Sequence, residues 1–211
     1  MSDVALAARA LARHGLVHAY GHVSARSGDG FVVTGPHPLR IAAPLVEVSL
    51  DGALPPGALP EVRMHQAIYR ARPDVGGICR FQSPSVIALS AIGKTPRALH
   101  GLGAYAPDAP LWDDPLLVRD PERAAGVATQ LGAARAIVLR GNGAISVGAT
   151  VREAACHAFF LEDAARVELA VLATREAAVP YTRAQCDARG AGDAQLYARM
   201  WEFLVADSEA S

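Results

Sequence analysis

The chain has 211 residues, 51% of them hydrophobic but only 6% aromatic, so it is long enough to bury one substantial core built mainly from Ala, Val and Leu. Its formal net charge is -1 with the two signs interleaved, which offers no electrostatic footprint for nucleic acid or an anionic membrane surface. No apolar run approaches a membrane span, and the first 15 residues carry charges where a secretion signal needs an apolar centre, so a cytoplasmic location is expected.

Residues 2–14 carry apolar side chains at helical spacing (Val4, Leu6, Ala7, Ala10, Leu11), with Ser2 or Asp3 as cap and Gly15 as stop. Segments 21–26 and 31–34 flank Gly28-Asp29-Gly30 and read as a hairpin. The prolines of Thr34-Gly35-Pro36-His37-Pro38 exclude a central strand there, and 46–50 reads as a further strand ending at Asp51-Gly52. Residues 61–72 form a helical pattern stopped by Pro73. A short strand at 76–81 follows, and Ser83-Pro84 opens the next helix as N-cap and first position. Segment 94–105 suggests one more strand with a Gly-rich loop, and 107–115 reads as irregular. Asp120-Pro121 starts a helix to Leu131, strands follow at 136–140 and 144–147, and Thr150 caps a long helix to about 174. Residues 182–203 are helical in pattern, interrupted at Gly190 and Gly192. Cys79, Cys156 and Cys186 are odd in number and widely spaced, and read as buried free thiols. Helices alternating with several hairpins predict an α/β domain with a mostly antiparallel sheet.

The run PEVRMHQAIYRARPDVGGI…SPSVIALS (from Pro60), together with GHVSAR (21–26) and VLRGNGAISVGATVREAACHAFFLEDAAR (138–166), resembles the class II aldolase/adducin family, fuculose-phosphate aldolase type. GHVSAR, RGNG and LEDAAR are similar to its decarboxylase branch. The resemblance covers about residues 5–180, leaving 181–211 as a helical tail on a single domain. It implies a central sheet with helices on both faces, a homotetramer with sites between neighbouring subunits, a lyase activity on a small molecule, and a divalent metal, usually zinc.

The metal is where the sequence departs. The family's three ligand histidines correspond to Arg80, Gln82 and Asn142, while its acid/base glutamate is kept as Glu61. No two of the seven histidines have His-x-His spacing. A guanidinium keeps its proton and cannot ligate, and amide oxygens are poor substitutes for imidazole on zinc. No cofactor is therefore expected at the inherited place.

Two readings of Arg80 stand side by side. It could take over the metal's electrostatic work, binding a carboxylate or enolate oxygen with Gln82 and Asn142 as neutral donors. Alternatively it pairs with Glu61 and holds a dead cleft shut. His22 titrates in a range suited to acid/base work and is the third catalytic candidate, though a turn histidine bonded to backbone is the plainer account. Ser24 and Arg140 are candidate substrate contacts, and Arg26 reads as a surface or intersubunit ion pair. Thr34-Gly35 remains of the family's phosphate loop, but prolines 36 and 38 lack the amide hydrogens that hold a phosphate, which argues against phosphorylated sugars. Gly143 reads as a tight-turn residue. His65 and His157 read as core or interface side chains, and Tyr105, Tyr181 and Trp112 as possible pocket walls. The function expected is a metal-free carbon–carbon lyase, aldolase or decarboxylase, on a small carbonyl or carboxylate substrate. The alternative is a non-catalytic aldolase-fold protein used for scaffolding or ligand binding, and a relocated metal site ranks below both.

Overall fold

The structure is a computed structural model that describes residues 2–41, 44–105, 107–190 and 194–206. A seven-stranded sheet runs in the order β3-β2-β1-β4-β7-β6-β5, and only the β5–β6 pair is parallel. Its strands are β1 (His22–Ser27), β2 (Gly30–Thr34), β3 (Leu45–Ser49), β4 (Gly77–Phe81), β5 (Leu111–Trp112), β6 (Ala136–Leu139) and β7 (Gly143–Gly148). The helices are α1 (Asp3–Arg13), α2 (Arg63–Ala71), α3 (Pro84–Ala91), α4 (Pro121–Leu131), α5 (Val151–Thr174), α6 (Arg183–Gly190) and α7 (Ala194–Val205).

Strand alternation sorts the core into two layers. Val23, Cys79, Phe81 and Ala144 face one side, against α1, α3, α5 and α7. Phe31, Val33, Ile78, Ile145 and Val147 face the other, against Met64, Ile68 and Tyr69 of α2 and Val127 and Leu131 of α4. Helices on both faces of a largely antiparallel sheet match the expected class. Each fully buried Val, Ile or Phe in these layers contributes roughly 1.5–3 kcal/mol.

The capping residues act mostly as expected. Ser2, Asp120 and Thr150 accept backbone N–H bonds at the starts of α1, α4 and α5. Ser83 precedes α3 but its hydroxyl makes no cap bond. Instead the buried Glu162 carboxylate accepts from Ser85 N at 3.4 Å and Val86 N at 3.2 Å, so a side chain 76 residues away caps α3. Segment 94–105 forms no strand; it ends in a 3-10 turn, Leu102–Tyr105, packed on α5 and α6. The 107–115 segment supplies the short β5 because Val138 N bonds Pro110 O and Arg140 N bonds Trp112 O beside β6. Helix 61–72 begins as a 3-10 turn, Pro60–Val62. Gly190 ends α6, and Gly192 lies outside the described residues. The three cysteines are free and buried. Among the described residues no helix is long and apolar enough to cross a membrane.

Candidate active site

Three chain reversals place the candidate residues at one end of the sheet. Strand β4 delivers Arg80 and then Gln82 just past its end. The loop 140–142 between β6 and β7 delivers Asn142, whose N–H closes on Leu139 O at 2.9 Å. The 3-10 turn before α2 delivers Glu61. Gly143 belongs to this geometry as well as to the turn. Its φ is +85°, and a Cβ there would lie 2.1 Å from Phe81 O, so only glycine lets β7 approach the end of β4 so closely.

The three positions that resemble metal-ligand positions converge. Arg80 Nη2 donates to Asn142 Oδ1 at 2.8 Å, and Gln82 Nε2 donates to the same oxygen at 3.0 Å. They border a cavity of about 580 Å³ that His22, Glu61, Pro36 and Pro38 also line. Arg80 is 4% exposed, and burial pushes its guanidinium down to about 10, with the nearby Glu61 charge opposing the shift. It therefore stays charged at neutral pH. Its Nε–H is buried with no hydrogen-bond partner among the described residues. A buried cation with an unmet donor is costly and favours an arriving acceptor.

Glu61 does not close the cleft by pairing with Arg80. Its carboxylate accepts from Arg119 Nε at 2.8 Å, on the segment leading into α4, and Arg119 is more than half exposed. Arg119 and Leu117 form a wall of the cavity.

His22 and Arg80 stand directly opposite each other on β1 and β4, so their side chains share the α2 face of the sheet. His22 Nδ1 lies 2.8 Å from His65 Nε2, His65 Nδ1 lies 2.6 Å from Ser24 Oγ, and Ser24 Oγ lies 2.9 Å from Tyr69 Oη. Burial, then the charge of Arg80, pushes His65 down to about 3. Burial, then His65 and Arg80, holds His22 well below its ordinary value. Both rings are neutral at physiological pH. Burial pushes the Tyr69 phenol up, so it keeps its proton.

The remaining candidates lie outside the cavity lining. Ser24 sits beneath His65, fully buried. Thr34 Oγ1 accepts from Val23 N at 3.1 Å and so ties β2 to β1. Gly35 packs beside Pro44 O. Arg140 is paired with Asp113. Within the chain, Arg26 forms no ion pair with a carboxylate among the described residues. It donates to Tyr69 O, Arg72 O and Val75 O, closing the end of α2, with its guanidinium 4.8 Å from the centre of the Tyr69 ring. Tyr105, Tyr181 and Trp112 are not walls; Tyr20, Leu59 and Leu117 are.

These residues do not fit the divalent ion that the resemblance implies. Arg80 cannot ligate, the Asn142 oxygen already accepts two donors, and Nδ1 of His22 is engaged by His65. Among the described residues no group of three His, Cys, Asp or Glu is placed to hold a metal.

Residues 2–169 match the model of the "Class II Aldolase and Adducin N-terminal domain" family. The 3,4-dihydroxyphthalate decarboxylase of Arthrobacter keyseri is 28% identical over 192 residues, spanning 80% of this chain and 77% of that protein. The enzyme of the same name from Rhodococcus jostii (strain RHA1) is 29% identical over 199 residues, spanning 80% and 79%. Among solved structures, the L-fuculose-1-phosphate aldolase of Thermus thermophilus is 28% identical with a TM-score of 0.75, covering 83% of this chain and 96% of that one. An aldolase II superfamily protein of Pseudomonas syringae has a TM-score of 0.81 at 23% identity, covering 99% and 91%, a likeness of fold alone.

Proposed function

Because this chain belongs to the class II aldolase and adducin N-terminal domain family, with decarboxylases and aldolases among its relatives, we propose that it is a carbon–carbon lyase of the decarboxylase kind. Its substrate is a small conjugated carboxylate, and hydroxylated aromatic acids are the class to try first, after the relatives' 3,4-dihydroxyphthalate. The observation that carries the reading is the buried, partner-poor Arg80 bordering an open cavity of about 580 Å³. A fixed, buried cation with two amide side chains beside it is suited to hold an oxyanion.

In this reading the carboxyl carbon–carbon bond breaks, CO2 leaves, and the electron pair passes into the conjugated oxygen held by Arg80. One proton replaces CO2 on the carbon, relayed from solvent by way of Glu61, while the neutral His22 serves as a hydrogen-bond donor and not as the acid. The family's divalent ion, which would polarise the same oxygen as a Lewis acid, has its place taken by Arg80 and is not required. Prolines 36 and 38 at the cavity edge favour unphosphorylated substrates. Subunits associate as the family's homotetramer. The second reading, an aldolase-fold ligand binder without turnover, is favoured by one feature: the acid/base candidate Glu61 is already held by Arg119.

The test is CO2 release from a panel of hydroxybenzoates and hydroxyphthalates, with and without a chelator. Chelator-insensitive release that Arg80→Gln abolishes supports the lyase reading. Binding without release supports the ligand binder, and release that a chelator stops overturns the metal-free mechanism.

A further inference from the structure

The four buried groups Tyr69, Ser24, His65 and His22 form one hydrogen-bonded chain that reaches the cavity at His22. Its proton order can be worked out from donors and acceptors. Three arrangements are self-consistent along the contacts. In the outward one, Tyr69 donates to Ser24, Ser24 to His65 Nδ1, and His65 Nε2–H to His22 Nδ1, which leaves His22 protonated on Nε2. In the two inward ones His22 Nδ1–H donates to His65 Nε2 and His65 Nδ1–H to Ser24; the hydroxyl bond then runs either way, leaving the O–H of Tyr69 or that of Ser24 without an acceptor. Tyr69 is 1% exposed, and Ser24 is its hydroxyl's one hydrogen-bond partner among the described residues. Either inward order therefore strands one hydroxyl donor, of Tyr69 or of the fully buried Ser24, in the core, whereas the outward order spends every proton on a protein acceptor until the last. That last one is His22 Nε2–H, which has no protein partner among the described residues and belongs to a ring lining the cavity.

We infer that Tyr69, Ser24 and His65 are positioning residues that lock His22 in its Nε2–H tautomer, presenting a neutral N–H donor beside Arg80 to a substrate oxygen. This deepens the lyase reading and rests on it for the substrate class; the tautomer does not depend on turnover. A neutral donor next to a fixed cation suits an anionic oxygen acceptor, such as the carboxylate or the enolate that follows it. It disfavours ligands that present only donors, such as amines. Ser24 thus contributes to the site without touching substrate, through two residues.

The experiment uses the full chain with 15N-labelled histidine and arginine, the Arg80 signal being the one missing from Arg80→Gln. Long-range 15N–1H correlation spectra at neutral pH distinguish Nε2–H, Nδ1–H and doubly protonated rings, and His22 is assigned by the signal missing from His22→Gln. The expected result is an Nε2–H ring for His22; an Nδ1–H or doubly protonated ring overturns the inference. Ser24→Ala is expected to give mixed tautomers at His22, and a retained pure Nε2–H ring removes the relay from the explanation. Benzoate titrated into the wild type is expected to move both the His22 Nε2–H and the Arg80 guanidinium signals. Movement of Arg80 alone overturns the donor role. Movement of neither overturns the oxyanion-cavity reading while leaving the tautomer result to stand by itself.

Discussion

Arg80 and Asn142 are 62 residues apart in sequence yet joined by a 2.8 Å hydrogen bond at the cavity edge. The bond fixes one arm of a guanidinium that forms no ion pair with a carboxylate among the described residues, and it turns the Asn142 oxygen away from any role as a free ligand. What the contact leaves available is positive charge. That charge, and the elements that hold it, set what substitutions in and around the cavity should do.

Substituting Arg80 separates binding from stability. Charge-assisted hydrogen bonds contribute roughly 1.5–3 kcal/mol. Arg80→Gln is therefore expected to weaken benzoate or phthalate binding about 10- to 100-fold in calorimetry. The melting temperature of the free protein should hold or rise, because a desolvated cation is no longer confined there. A large fall in melting temperature with unchanged binding would show that Arg80 is structural.

Metal content follows the donor set. Purified protein is expected to carry no stoichiometric zinc by elemental analysis, and added zinc should not raise its melting temperature through this cavity. One tightly held ion per chain, lost in Arg80-proximal variants such as Asn142→Ala, would sink the surrogate-cation account.

Acid should destabilise the fold early. His22, His65 and His157 are buried and neutral, with His65 at about 3 and His157 at about 4, burial being the largest cause in each. Folded values below the unfolded value of about 6.5 mean that the unfolded chain binds protons first as pH falls. The stabilisation is complete above about 6.5 and is lost progressively toward the folded values, at about 1.4 kcal/mol per pH unit for each ring. Urea midpoints measured from pH 8 to 5 should decline below about 6.5. His157→Gln, remote from the cavity, should flatten that decline if its ring contributes.

Glu162 anchors α3, the helix that follows Gln82. Glu162→Ala is expected to cost about 1–2 kcal/mol by removing the acceptor at the helix start. Glu162→Gln, which keeps an oxygen, should cost less. Chemical denaturation distinguishes the two.

Gly143→Ala is expected to destabilise by about 1–3 kcal/mol from backbone strain alone. The added clash with Phe81 O should also splay β7 from β4 and lower benzoate affinity. Equal affinity in the variant would mean that the cavity does not depend on this approach.

Much of this arrangement is legible in the sequence, because it lies in local patterns. Asp120-Pro121 and Thr150 announce their helices, and Gly28-Asp29-Gly30 announces the β1–β2 reversal, since each signal acts within a few residues. Arg80, Gln82 and Asn142 can be grouped through the resemblance alone; nothing in their spacing says that they touch. The Glu162 cap and the Glu61–Arg119 pair are out of reach for the same reason, each joining segments more than 50 residues apart. The His65–Tyr69 relay does leave a trace. Both lie four residues apart on α2, and His22 and Ser24 alternate on β1, so two polar faces of different period are available to be matched. Composition suggests a strand at 94–105, but Ala98 and Ala104 instead pack with Cys186 near α6.

The pairing of His22 with Arg80 across β1 and β4 gives the pocket a parity. Sliding β1 by one position would turn the imidazole to the opposite layer and bring an aliphatic Val23 to the mouth, leaving the sheet intact but the guanidinium without its companion.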